Sequence, residues 1–260
     1  MTETQSLAGV TVAVTRPAKQ AGPLCQLIED QGGKAISFPS LEILEIQQSE
    51  QLASITKRLH LFDMAIFISV NAVEGAARLI GNTLPPSLKL IAVGHSSRKA
   101  VEQQWQQAAL CPASGANSEA LLAMTELQQI KGRHILIFRG QGGRELLAQT
   151  LSQRGATVEY AEVYRRGRPT GDLEALQKQT PGIDLITATS NESLQNLYDM
   201  ANNEQRDWLL ARQLIVISKR TAQLARQLGF RHPAIVSTQS TNQGLTNVMQ
   251  TWRNQQHNNH

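Results

Sequence analysis

An α/β fold, with parallel strands covered by helices on both faces, is what this sequence predicts. Two observations carry the prediction. Short runs of apolar, largely β-branched residues alternate with amphipathic stretches, and the second half of the chain repeats the first. Continuous apolar runs of this length suit strands buried on both faces, as in a parallel sheet.

In chain order the strand candidates are VTVAVT (10–15), KAISF (34–38), MAIFIS (64–69), LKLIAVG (88–94), HILIFR (134–139), TVEYAEVY (157–164), DLITAT (184–189), QLIVIS (213–218) and PAIVS (233–237). Several end in a short polar or Gly/Pro turn that opens a helix. These turns are Thr15-Arg16-Pro17, Ser69-Val70-Asn71, Gly94-His95-Ser96-Ser97, Arg139-Gly140-Gln141-Gly142, Ser190-Asn191-Glu192 and Ser218-Lys219-Arg220-Thr221. In open parallel sheets ligands bind outside the carboxyl ends of the strands, so these turns supply the candidate site residues.

The repeat places Arg16 over Arg139, Gly33 over Gly155, Asp63 over Asp184, Ser69 over Ser190, Ser97 over Thr221 and Leu121 over Leu245. Blocks that stay in register this way predict two lobes of similar fold whose corresponding strand ends face one another across a cleft. The connecting stretches, near 39–51 and 162–171, also match, so two segments are expected to cross between the lobes side by side.

Composition narrows the function. With 41% hydrophobic and 18% charged residues the balance is that of a globular chain, with disorder expected only at the ends. Cys25 and Cys111 lie far apart and match no metal-ligand spacing, which points to free thiols in a reducing compartment. The N-terminus lacks a basic stretch followed by an apolar run, and no apolar segment is long enough to span a bilayer, so a cytoplasmic protein is expected. A net charge of +4, with Lys and Arg spread along the chain, argues against nucleic acid and is compatible with an acidic small molecule.

Each motif has a plainer alternative. Gly140-Gln141-Gly142-Gly143 follows a strand, yet Glu145 stands where a dinucleotide fingerprint needs its third glycine. No two of the six histidines have helical i, i+4 spacing with a carboxylate, so no metal is expected; His95 alone sits in a candidate turn. Ser69, Ser97, Ser118, Ser190 and Thr221 stand where they can cap helices, and the same helix N-termini offer N–H groups to carboxylates. Tyr164, just before Arg165-Arg166, can donate a proton to a departing hydroxyl or serve as a packing residue.

The segments VTRP (14–17), FPSLEI (38–43), FISVNAVEG (67–75), IAVGHSSRKAV (91–101), NSEALL (117–122), VEYAEVYRR (158–166), TATSNESLQNL (187–197) and ISKRTAQLARQLG (217–229) are individually weak, but their joint order is specific. From Val10 to about Met249 the chain resembles the uroporphyrinogen-III synthase family. That resemblance implies two flavodoxin-like, three-layer α/β/α domains with parallel sheets, joined by a two-stranded β-ladder. It assigns residues 1–38 plus 170–260 to one lobe and 51–162 to the other, with 39–50 and 163–169 as crossing strands. It also implies cyclisation of linear hydroxymethylbilane to uroporphyrinogen III, with ring D inverted and water lost, and without cofactor or metal.

By the same resemblance Tyr164 matches the family tyrosine proposed to help the hydroxyl leave. Ser69, Ser97, Ser190 and Thr221 match hydroxyl positions of the cleft, and Arg16 a basic position after the first strand. With their neighbours Val70, Asn71, His95, Ser118, Asn191 and Lys219, these are the expected substrate-binding residues. Ile68 and Lys219-Arg220 depart from the family pattern. The expected protein is a monomer in tetrapyrrole synthesis, with a transient contact to hydroxymethylbilane synthase as a possible further partner. The competing readings are a two-lobed polyanion-binding protein without catalysis and a nucleotide-dependent enzyme.

Overall fold

The computed structural model describes residues 6–47, 49–179 and 182–257; the chain ends expected to be disordered, and residue 48 of the expected crossing strand, lie outside the described residues. The chain folds as two compact units. One runs up to Glu42 and resumes at Gly167; the other is Ile43–Arg166.

The first unit holds a five-stranded parallel sheet of β1 (Thr11–Val14), β2 (Lys34–Ser37), β9 (Leu185–Ala188), β10 (Gln213–Val216) and β11 (Ile235–Val236), in the order β11-β10-β9-β1-β2. Its helices include α1 (Ala18–Glu29), α7 (Glu174–Gln177), α8 (Asn191–Met200), α9 (Asn203–Leu210), α10 (Lys219–Leu228) and α11 (Asn242–His257). β1 and β9 are buried along their whole length, as their unbroken apolar runs require. One core layer lies under α8 and α10, around Ile186, Leu194, Leu197 and Val216; the opposite layer joins Val12, Val14, Leu24, Ile28, Leu245 and Met249. Each such aliphatic side chain contributes roughly 1.5–3 kcal/mol by leaving water.

The second unit holds six strands in the order β3-β8-β7-β4-β5-β6: β3 (Glu42–Glu45), β4 (Met64–Phe67), β5 (Lys89–Ala92), β6 (Ala109–Leu110), β7 (His134–Gly140) and β8 (Thr157–Gly167). The pairs from β8 to β6 are parallel. Helix α2 (Glu50–Lys57) precedes β4, and α3 (Val70–Ile80), α4 (His95–Trp105), α5 (Ser118–Leu122) and α6 (Leu146–Gln153) follow β4, β5, β6 and β7 respectively. Phe67 and Phe138 stack at 4.9 Å between centroids in the core on one side of the sheet, and Ile66, Ile91, Ile135 and Ile137 fill the other.

The sheets show how the repeat is used. The first sheet has the flavodoxin-like strand order 2-1-3-4-5, and the second has that order by repeat position, with β7 and β8 as strands 1 and 2 and β3 added at the edge. In the first, β1-α1-β2 of the first copy joins β9, β10 and β11 of the second. Conversely, β7-α6-β8 of the second copy joins β4, β5 and β6 of the first. Every expected strand is present. β6 was not anticipated because two residues are too few to show a period. β3, in the expected crossing stretch, lies beside β8 as the edge of the six-stranded sheet, and β8 runs on through Gly167, so Tyr164 lies within a strand and not at its end.

Candidate functional site

In the second unit the strand-end turns after β4, β5, β6 and β7, together with Tyr164 on β8, occupy the carboxyl ends of one parallel sheet. Tyr164 is 1% exposed and belongs to the core around Phe67 and Phe138. Its Oη lies 3.2 Å from Ser69 Oγ, and Ser69 in turn accepts the Ala72 N–H at 3.0 Å as the N-cap of α3. A β-bulge between Arg139 and Gly140 brings Gly140 opposite Tyr164, and Gln141 N–H donates to the Tyr164 carbonyl at 2.8 Å. The tyrosine and its serine thus come together from strands distant in sequence.

Other expected residues are placed differently from one another. Val70 is exposed and Asn71 half-buried in the first turn of α3. His95 is exposed, with Nδ1 3.7 Å from Cys111 Sγ, while Ser97 is 4% exposed. Of the five hydroxyls set where they could cap helices, only Ser69 and Ser190 do so. Gly94 begins α4, Asn117 caps α5 by accepting Ala120 N–H at 2.8 Å, and Ser218 caps α10, which leaves Ser97, Ser118 and Thr221 one or more places inside their helices.

The Gly140–Gly143 loop is not arranged as a phosphate cradle. The Arg139 guanidinium, 3% exposed, donates to the carbonyls of Gly140 and Gly142 and pairs with Glu145 at 2.9 Å. It also lies 4.4 Å over the Tyr160 ring, and Tyr160 Oη donates to Glu145 at 2.7 Å. Burial, then the Glu145 carboxylate, push the Tyr160 phenol up to about 12, while the bonds from Tyr160 and Arg139 hold Glu145 below its ordinary value. A cavity of about 340 Å³ opens beside the loop, lined among others by Asn117, Ser118, Arg139, Arg144 and Tyr160; of the expected site residues it takes in Ser118.

In the first unit the corresponding strand ends carry Arg16, Ser190, Asn191, Lys219 and Thr221. Arg16 donates to Asn242 Oδ1 at the start of α11, and burial lowers its pKa. Thr221, 1% exposed, donates to Asn191 Oδ1 at 2.9 Å and lies 2.8 Å from Ser218 Oγ, linking the first turns of α8 and α10. Lys219 is exposed. Thr15, from the first of the candidate turns, meets two buried hydroxyls that sequence reasoning missed: Ser193 Oγ lies 3.0 Å from Thr15 Oγ1 and 2.8 Å from Ser40 Oγ. Ser40 comes three residues after the end of β2, and that place just past a strand end was the available signal.

A family model described as uroporphyrinogen-III synthase HemD matches residues 23–247. The chain belongs to the uroporphyrinogen-III synthase family. Among curated relatives, the uroporphyrinogen-III synthase of Salmonella typhimurium is 34% identical over 228 residues, covering 85% of this chain and 93% of the relative. The one from Escherichia coli K12 is 35% identical over the same length and coverage. Two solved structures share the fold. The Helicobacter pylori synthetase has TM-score 0.61 at 13% identity over 94% of this chain and all of that one. A mutant synthase from Thermus thermophilus has 0.59 at 17%, over 95% and 100%. Among the described residues no helix is long and apolar enough to cross a membrane.

Proposed function

We propose that this chain cyclises hydroxymethylbilane to uroporphyrinogen III, with Tyr164 supplying the proton that lets the ring A hydroxyl leave as water. Family membership over residues 23–247 carries the reading of the reaction. The placement of the Tyr164 hydroxyl beside the carboxyl ends of β4 and β7, bonded to Ser69, supports its role.

Loss of the hydroxyl leaves an azafulvene-like cation. Ring D attacks through a spiro intermediate, and the last ring carbon releases a proton as the macrocycle closes inverted. Spontaneous closure gives the other isomer, so the protein's task is to restrain the chain's conformation and exclude water more than to supply a strong nucleophile.

The substrate bears many carboxylates, for which the strand-end turns of both units offer complementary groups: Arg16, Ser190, Asn191, Lys219 and Thr221 in one, and Ser69, Val70, Asn71, His95, Ser97 and Ser118 in the other. On the same reading residues 1–38 with 170–260, and 51–162, work as two lobes linked through 39–50 and 163–169. The enzyme acts as a cytoplasmic monomer, receives its substrate from hydroxymethylbilane synthase, and binds no nucleic acid.

Freshly generated hydroxymethylbilane, incubated with the protein and analysed by chromatography of the oxidised products, should give predominantly type III porphyrin. Type I alone, with tight binding and no turnover, would replace this reading with the polyanion-binding one.

A further inference from the structure

Resting on the proposed acid role of Tyr164, we propose that its proton reaches the departing hydroxyl through Ser69, which is the group that touches the substrate. Tyr164 is 1% exposed and packed into the core with Phe67 and Phe138, so its phenol is shut off from a ligand in solution. Ser69 is half-buried at the carboxyl end of β4, and its Oγ lies 3.2 Å from Tyr164 Oη. It therefore stands between the buried phenol and the surface.

The serine is built for two-way traffic. Its φ of −169° and ψ of 164° place it just before the first turn of α3, where Oγ accepts the Ala72 N–H at 3.0 Å. With Tyr164 as the donor in the relay, one Ser69 lone pair takes the Ala72 N–H and the other the phenol proton, which leaves the serine proton to be given away. Tyr164 cannot back off, because its ring lies against Gly140, where even a Cβ would come within 2.6 Å of it.

The step balances. Ser69 gives its proton to the hydroxyl oxygen, the C–O bond breaks with its electron pair going to that oxygen, and water departs. Tyr164 passes its own proton to Ser69 and is left as a phenolate, facing the cation formed on the substrate. When ring D closes, the proton released from the ring carbon returns along the same two oxygens and restores both hydroxyls. No outside acid is consumed.

The test compares Ser69→Gly, Ser69→Thr, Tyr164→Phe and the Ser69→Gly/Tyr164→Phe double variant, with kcat, KM, pH profile and melting temperature measured for each. Glycine begins helices nearly as well as serine, so folding is preserved while the hydroxyl is lost. Expected are a kcat fall of about ten-fold or more with KM little changed for both single losses, no further fall in the double variant, and near wild-type kcat for threonine.

If Ser69→Gly keeps kcat within two-fold while Tyr164→Phe loses it, Tyr164 donates directly and the relay is wrong, though the acid role survives. If Ser69→Gly raises KM alone, the serine only binds. If Tyr164→Phe retains full kcat, the acid role itself falls and the relay with it.

Discussion

The Tyr164 ring lies directly on the backbone of Gly140: a Cβ built there would sit 2.6 Å from ring atoms Cε2 and Cζ and 3.0 Å from Oη. The bulge in β8, where Val163 is the extra residue opposite the Arg139–Gly140 step, makes this approach, and only a residue without a side chain tolerates it. Gly140→Ala is expected to cost about 1–3 kcal/mol as overpacking, to lower the melting temperature by several degrees and to reduce kcat. In a Tyr164→Ala background the same change should cost almost nothing. A full, additive cost there would sink the explanation.

The Tyr160 phenol should resist ionisation. Its proton is held more tightly in the folded state than in the unfolded one, so its contribution to stability is complete below the ordinary value near 10 and is lost as pH rises through about 12. A difference titration of tyrosinate absorbance between the wild type and Tyr160→Phe reads that midpoint directly. Glu145→Ala should bring it part of the way down and no further, since burial is the larger cause. An ordinary midpoint in the wild type would contradict the Arg139–Tyr160–Glu145 arrangement.

Asp63 and Asp184 are repeat equivalents that do the same work in separate units. Asp63 Oδ2 accepts the N–H of His134 at 2.8 Å, and Asp184 Oδ2 accepts that of Thr11 at 2.8 Å. Each carboxylate ties a strand of one copy to a strand of the other. Replacing either by Ala should cost about 1 kcal/mol, and the two losses should add. The His134 N–H, with Arg133, holds the Asp63 carboxyl below its ordinary value, so that stabilisation is present above about pH 4 and disappears as pH falls through the lowered value. Chemical denaturation of both single variants and the double variant at neutral and acidic pH checks the sign and the additivity.

Ser218 caps α10 through the Thr221 N–H at 3.1 Å and also meets the Thr221 hydroxyl. Ser218→Ala should destabilise by about 1 kcal/mol and Ser218→Gly by only a few tenths. Because Thr221 bonds Asn191 across the two helix starts, the alanine variant should also raise KM if these turns hold substrate. An unchanged KM with the expected loss of stability would confine Ser218 to a structural role.

The sequence by itself determined the α/β class, the strands long enough to show an apolar run, and the repeat, because these depend on side-chain type at regular spacing. It also brought the strand-end turns forward as candidates, since parallel strands leave their carboxyl ends as the crevice for ligands. It could not reveal which hydroxyl caps a helix. Ser69 and Ser97 look alike in sequence, but Ser69 accepts an N–H while Ser97 lies inside α4, and that difference is one of backbone dihedrals.

Only the tertiary structure decided that Tyr164 is buried, that Ser69 reaches it and that Gly140 makes the room. Those contacts join β4, β7 and β8, whose adjacency comes from the packing of the sheet and leaves no mark in the local pattern. The same holds for Arg139 and Arg16. They are equivalent by the repeat, yet one is surrounded by Glu145, Tyr160 and loop carbonyls while the other meets the amide of Asn242, because the loops that follow each strand differ.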